Sequence, residues 1–212
     1  KFMNKIDYRN TIYKQFNNDI LMQKEQLNQQ IKREHPRLRI IYNKVKDRNS
    51  KFNKKFQDIY NRKCVYCGVN QDIMSSGLFE VDHFICESSF EGDLVEAGVL
   101  SNLVLSCKKC NRAKGDLRWE EEYSSVFEVD SRNIVNVFYR ASDYSIKIHS
   151  RYHSDDIVNK FYKKLKLDEE VRRLDYLLMT MNDFYDKYKS DDRVKGLSEP
   201  MRLLQKARNK LW

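Results

Sequence analysis

Apolar residues recur along one face of the first third of the chain. Ile12, Phe16, Ile20, Leu27 and Ile31 follow one another at spacings of four and seven, the period of an amphipathic helix. Pro36 closes that helix, because proline has no backbone donor to continue it. A second stripe, Val45, Phe52, Phe56, Ile59 and Tyr60, predicts another helix that delivers the chain to Cys64. The period then shortens. LFEVDHFI at 78–85 reads as a strand, and a loop holding Gly92 and Gly98 follows it. Residues 102–105 predict a second short strand, and KKCNRAKGDLRWEEEY reads as a helix of about four turns. Farther on, VFEV, IVNVFYR and YSIKI predict short strands, and DDIVNKFYKKL begins another helix. Asp168 is the expected N-cap of a long helix in which Val171, Leu174, Leu178, Met181, Tyr185 and Tyr188 repeat at three and four. No internal repeat is visible.

Composition agrees with a helical bulk. Six Gly and two Pro among 212 residues are about a third of average usage, which argues against a turn-rich β-sandwich or a low-complexity linker. With 41% hydrophobic and 12% aromatic residues the chain has the material for a core. No run of about 18 apolar residues exists to span a membrane. The opening KFMNKIDYRN lacks a signal peptide's apolar stretch and does not begin with Met, so a cytoplasmic protein whose true start is missing is expected.

The distribution of charge and cysteine is more informative than the totals. All five cysteines and five of the six glycines lie between Cys64 and Gly115. Residues 1–63 carry 17 basic against 6 acidic groups, residues 64–123 carry 5 against 11, and residues 124–212 carry 18 against 14. A basic flank beside an acidic, cysteine-bearing centre suits a polyanion held by the flank and cations gathered at the centre. Solvated helix faces are the plainer explanation of the same Lys and Arg.

Cys64 and Cys67 in CVYCG, with Cys107 and Cys110 in SCKKCN, make two CxxC pairs, the ligand set of a tetrahedral structural zinc site. A reducing compartment favours metal binding over disulfides for such pairs. The 39 residues between the pairs exceed the spacing of a simple zinc ribbon, so the zinc clamps a substructure of its own. That substructure holds Asp82 and His83 in VDHFI, and Asn102 opening SNLVLSC; Asn111 directly follows Cys110. Adjacent strand residues point to opposite faces, so Asp82 and His83 serve one site only at a strand end. A carboxylate and an amide oxygen are hard ligands suited to Mg2+ or Mn2+, and a neutral imidazole can take a proton from water. Each residue alone also has a structural explanation as a cap, a loop bridge or a packed histidine.

In order, CVYCG, VDHFI, SNLVLSC and KKCNRAKGD resemble the HNH endonucleases of the ββα-metal fold, in the subtype framed by two CxxC pairs. The resemblance covers residues 64–116. It implies an α+β fold, a small ββα-metal nuclease core with structural zinc embedded between long N- and C-terminal helices. It implies that Asp82 and Asn111 hold a catalytic Mg2+ or Mn2+, that His83 is the general base, and that Asn102 helps hold that histidine. Arg112 and Lys114 are candidate nucleic-acid contacts, with surface solvation as the alternative. Cys86 stands where the family often has proline and Glu87 where a basic residue is common, so that loop's contacts are not carried over. His35, His149 and His153 read as incidental.

The expected organisation is a basic helical arm at 1–61, the nuclease core with its zinc at 62–123, and short strands with a helical region at 124–212. Beyond the motif, the order of elements resembles bacterial HNH nucleases of anti-phage systems such as the Septu type, where the nuclease works with an ATPase subunit. The expected function is metal-dependent hydrolysis of phosphodiester bonds in nucleic acid, DNA favoured over RNA, in anti-phage defence or restriction. A catalytically silent zinc-containing module for nucleic-acid binding or assembly is the alternative.

Overall fold

The computed structural model describes residues 6–119, 121–131 and 133–211. Three helices come first, α1 (Ile20–Glu34), α2 (Tyr42–Val45) and α3 (Lys51–Ile59). The first is shorter than its apolar stripe: Ile20, Leu27 and Ile31 are buried on α1, but Ile12 is exposed and Phe16 enters the core from an irregular segment. Side-chain hydrogen bonds to distant backbone explain the difference. Tyr8 Oη donates to Tyr66 O at 2.6 Å, and Arg9 Nη1 donates to Val65 O at 3.0 Å and to Val129 O at 2.6 Å. These bonds hold the segment as a strap across the core in place of a helical turn.

The second stripe is two helices rather than one. Val45 closes α2, and the helix restarts where Ser50 Oγ accepts from Phe52 N at 3.1 Å. Such an N-cap contributes about 1 kcal/mol, enough to bias where α3 begins. Phe52, Phe56 and Ile59 form its buried face.

The strands β1 (Phe79–His83) and β2 (Leu103–Cys107) pair antiparallel, with Asp82 opposite Val104 and His83 opposite Leu103. Between them lies α4 (Leu94–Ala97), capped by Asp93. Helix α5 (Lys108–Lys114) follows β2 directly and packs on both strands, completing a ββα unit. It is shorter than the expected four turns. Gly115 adopts φ +53°, a conformation that costs little only for glycine, and ends it. Residues 116–119 are not helical, and α6 (Glu121–Val126) is separate; Glu120, inside the expected helix, lies outside the described residues.

Of the expected later strands, β3 (Phe138–Arg140) and β4 (Ile146–Ile148) form one antiparallel pair. VFEV ends α6 and sends Phe127 into the core, and IVNVFYR begins with a 3-10 turn at Asn133–Asn136. Helix α7 (Asp156–Lys164) is capped by Asp155, which accepts from Ile157 N and Val158 N. Then come α8 (Glu170–Tyr188) and α9 (Ser198–Asn209). Asp168 does not cap α8: Glu169 occupies that position, and the Asp168 carboxylate pairs with Lys163. On α8, Val171, Leu174 and Leu178 are buried, whereas Tyr185 and Tyr188 are exposed.

One buried apolar cluster runs from Tyr8 to Leu167 and joins the first helices, the ββα unit, β3–β4 and α7. The basic segment before Cys64 is therefore part of the wall around the ββα unit. Among the described residues no helix is long and apolar enough to cross a membrane.

Candidate active site and metal centre

The first cysteine pair sits on a tight turn in which Gly68 N donates to Cys64 O at 2.9 Å. Gly68 has φ +79°, and a Cβ there would lie 2.8 Å from Arg9 Cα, so the turn requires glycine twice over. Val65 N donates to Leu105 O at 2.8 Å, tying the turn to β2. Cys107 ends β2 and Cys110 lies in the first turn of α5.

The four sulfurs all lie within 4.8 Å of one another, and those of Cys67 and Cys107 are 3.9 Å apart. Tetrahedral coordination at the usual Zn–S length of about 2.3 Å places sulfurs about 3.8 Å apart. The surroundings also fit a metal-bound thiolate cluster. Hydrogen bonding with the Cys107, Cys64 and Cys67 sulfurs, together with burial, pushes the Cys110 thiol well above its ordinary value, a crowding that a bound cation would relieve. Arg172 of α8 is fully buried, has no carboxylate ion pair among the described residues, and directs Nη2 to Cys110 Sγ at 3.4 Å. Burial opposes its charge, yet the neighbouring cysteines together with Asp175 leave its pKa raised above the ordinary arginine value. Its Nη1 is buried without a hydrogen-bond partner among the described residues. A four-thiolate zinc cluster carries net negative charge, and Arg172 is placed to answer it. Among the described residues this is the only convergence of three or more His, Cys, Asp or Glu donors.

Asp82 and His83 end β1 with different partners. The Asp82 carboxylate turns toward α5, accepting from Tyr66 Oη at 2.8 Å and pairing with Lys114 Nζ at 3.3 Å. Burial pushes its pKa up to about 6, against the pull of Lys114 and Tyr66, and the charge of Glu80 adds to the rise. The His83 ring is half-buried and lies against Tyr42 of α2, with ring centroids 4.4 Å apart. Burial lowers its pKa from 6.5; Glu87 opposes that shift, while Lys114 and Lys46 add to it.

Asn102 directs its hydrogen bonds to backbone and not to the His83 ring. Its Oδ1 accepts from Ile85 N at 2.9 Å, its Nδ2 donates to Ile85 O and Ala97 O, and its backbone carbonyl accepts from Phe84 N. It thus fixes the backbone just after His83. Asn111 reaches β1 from α5: Nδ2 donates to Glu80 Oε2 at 2.8 Å, which leaves Oδ1 as the acceptor on its other side.

Lys114 overturns one sequence expectation. At 1% exposure it is an interior residue, and its ammonium bonds to His83 O at 2.8 Å as well as to Asp82. A lysine spent on a carboxylate and a strand-end carbonyl cannot contact a phosphate at the surface. Arg112, on the same helix, is exposed. His35 packs on Phe52, His149 on Tyr139, and His153 bonds to Ile148 O.

Three residues absent from the sequence reading belong to this region. Glu80 was accessible through strand alternation, since it shares a face with Asp82 two positions on. Tyr42 and Lys46 were not, because only the folding of α2 against the hairpin brings them to His83. A cavity of about 300 Å³ lies beside these residues, with Tyr42, Lys46, Arg48, Glu80 and Asn111 in its lining.

Comparison with known proteins matches part of this sequence to a family. Residues 64–117 match the HNH endonuclease family model. The SPbeta prophage-derived putative HNH endonuclease YoqL of Bacillus subtilis (strain 168) is 31% identical over 115 residues, covering 48% of this chain and 47% of that relative. The chain therefore spans about half the length of the curated relative it matches. No solved structure matches. The zinc-type cysteine cluster, the ββα unit and the family match coincide on one segment, residues 64–117, which is similar to the HNH endonuclease family.

Proposed function

We propose that this chain hydrolyses phosphodiester bonds in nucleic acid, DNA favoured, with His83 as general base and a divalent cation held by Asp82 and Asn111. The observation that carries the proposal is the docking of α5 on β1: Lys114 bonds to Asp82 and the His83 carbonyl, and Asn111 bonds to Glu80. The donor set suits Mg2+ or Mn2+, because a carboxylate and an amide offer hard oxygens. Two neighbouring carboxylates, one of them buried and pushed up to about 6, also favour a nearby cation.

His83, kept neutral at pH 7 by burial, accepts the proton of a water attacking phosphorus. The cation, when bound, stabilises charge developing on the phosphate and on the leaving 3′ oxygen. Lys114 pins the end of β1, and Asn102 pins the backbone after it, so the imidazole is carried on a fixed strand end. Cys64, Cys67, Cys107 and Cys110 would hold the structural Zn2+, and Cys110 lies in the helical turn that presents Asn111.

His83→Ala should reduce Mg2+- or Mn2+-dependent nicking of plasmid by about 10²- to 10⁴-fold while leaving zinc content and the circular dichroism spectrum unchanged. Equal cleavage by the variant would remove His83 from the mechanism; no cleavage by the wild-type chain would favour a silent nucleic-acid-binding module. Because the folded pKa of His83 is depressed, its base form persists to lower pH. The acid limb of the pH–rate profile should therefore lie below 6.5.

The resemblance supports a finer reading, in which the nuclease serves anti-phage defence or restriction in a bacterial cytoplasm and an ATPase partner docks on the C-terminal helices. Affinity purification of the chain expressed with its neighbouring genes tests this; recovery of the nuclease without an ATPase would count against it.

A further inference from the structure

We propose that the groove between α2 and β1 is a phosphate-binding subsite of the substrate strand, with Lys46 as its anion contact and Tyr42 joining it to His83. The inference rests on the nuclease reading and adds a substrate contact outside the HNH segment, on the basic region that precedes Cys64.

The groove is continuous with the candidate catalytic side chains. Tyr42 lines it and lies 4.4 Å, centroid to centroid, from the His83 ring; Glu80 and Asn111 line it as well. Lys46 stands on the same wall as Tyr42, with Nζ 4.7 Å from the Tyr42 ring centroid. It is exposed and has no ion-pair partner among the described residues. Arg48 adds a second cation, fixed by hydrogen bonds from Nη2 to Gly77 O at 2.9 Å and Phe79 O at 3.1 Å, and it too lacks a carboxylate partner there.

Most basic residues near the hairpin are already engaged. Lys114 is interior and bonds to Asp82, and Lys24 is buried against Asp130. Lys46 and Arg48 are therefore the cations left facing this cavity of about 300 Å³. A polyanion entering beside His83 must pass along a wall, and this one presents Lys46 and Arg48 to the cavity, with Glu80 in the lining and Glu87 and Asp82 near enough to act on Tyr42. Glu80 is occupied by Asn111. Tyr42 has Lys46 and His83 against it, so its part is to hold the wall against the histidine rather than to stack a base.

The test is fluorescence anisotropy with a labelled DNA duplex and the matching single strand, at several salt concentrations and without added divalent cation. A lost phosphate contact lowers the slope of log K against log salt by about one and weakens binding alike across sequences. Lys46→Ala should show that change, with affinity down several-fold at moderate salt, and Lys46→Arg should restore the slope. Unchanged slope and affinity in Lys46→Ala, while the wild-type chain cleaves DNA, would overturn the subsite and leave the nuclease reading intact. A wild-type chain that binds with Lys46-dependent slope but does not cleave would keep the subsite and sink the nuclease reading. Absence of salt-dependent binding by the wild-type chain would overturn the subsite outright.

Discussion

Glu80 shows how one side chain selects the chemistry of another. An asparagine amide presents either its oxygen or its nitrogen, and the neighbour decides which. A carboxylate only accepts, so Glu80 claims the Nδ2 of Asn111 and turns Oδ1, the hard donor, to the other side. Glu80→Ala should therefore weaken binding of Mn2+ by roughly 10- to 100-fold, the usual effect of removing a residue that orients a ligand. Calorimetric titration of Mn2+ reads this directly. The cleavage rate at saturating cation should fall much less, and Glu80→Gln, which still offers an acceptor oxygen, should recover part of the affinity. Unaltered Mn2+ affinity in Glu80→Ala would refute the role.

At the scale of elements, the ββα unit has few residues of its own and depends on what clamps it. The cysteine cluster ties the 64–67 turn, the end of β2 and the start of α5, and Arg172 brings α8 to the same point. Structural zinc sites can contribute on the order of 10 kcal/mol to folding, more than most domains possess in net stability. Stripping zinc should thus abolish the cooperative melt seen by circular dichroism, with one zinc per chain recovered in the chelator. Arg172→Met keeps the apolar stem but leaves the thiolate cluster without its buried counter-charge. It should bind zinc about 10- to 100-fold more weakly, measured by chelator competition. Retention of wild-type zinc affinity would show that α8 merely packs nearby.

For the whole molecule, the strap at residues 7–16 links segments far apart in sequence. Arg9 reaches Val65, on the zinc turn, and Val129, beyond the ββα unit, while pairing with Asp7 at 2.7 Å. Burial opposes ionisation of Asp7, yet the charge and hydrogen bonds of Arg9 hold its pKa below the ordinary carboxylate value. Removing one member of a buried pair typically costs about 3–5 kcal/mol, because the other charge remains buried alone. Arg9→Met should show that loss in urea unfolding. A loss below about 1 kcal/mol would mean that the strap contributes little to the core, as an exposed pair would.

The residue types and spacings of the chain were enough to determine which chemical groups its centre brings together. Two CxxC pairs bring four thiolates whatever surrounds them, and VDHFI, SNLVLSC and KKCNRAKGD supplied the carboxylate, imidazole and amides in an order that a ββα unit can use. Ligand identity is a property of side chains, so it survives in a one-dimensional reading. What only the tertiary structure decided is which side chains face inward and which distant segments meet. Apolar periodicity suggested a helix through Ile12 and Phe16, but hydrogen bonds from Tyr8 and Arg9 to residues more than 50 positions away made that stretch a strap. Lys114 resembled a surface cation until Asp82 and the His83 carbonyl claimed it in the interior. Tyr42 and Lys46 carried no local signal, because their place beside His83 arises from the packing of α2 against the hairpin. Local pattern records how a segment can fold; burial and long-range hydrogen bonding, which act between segments, record where it goes.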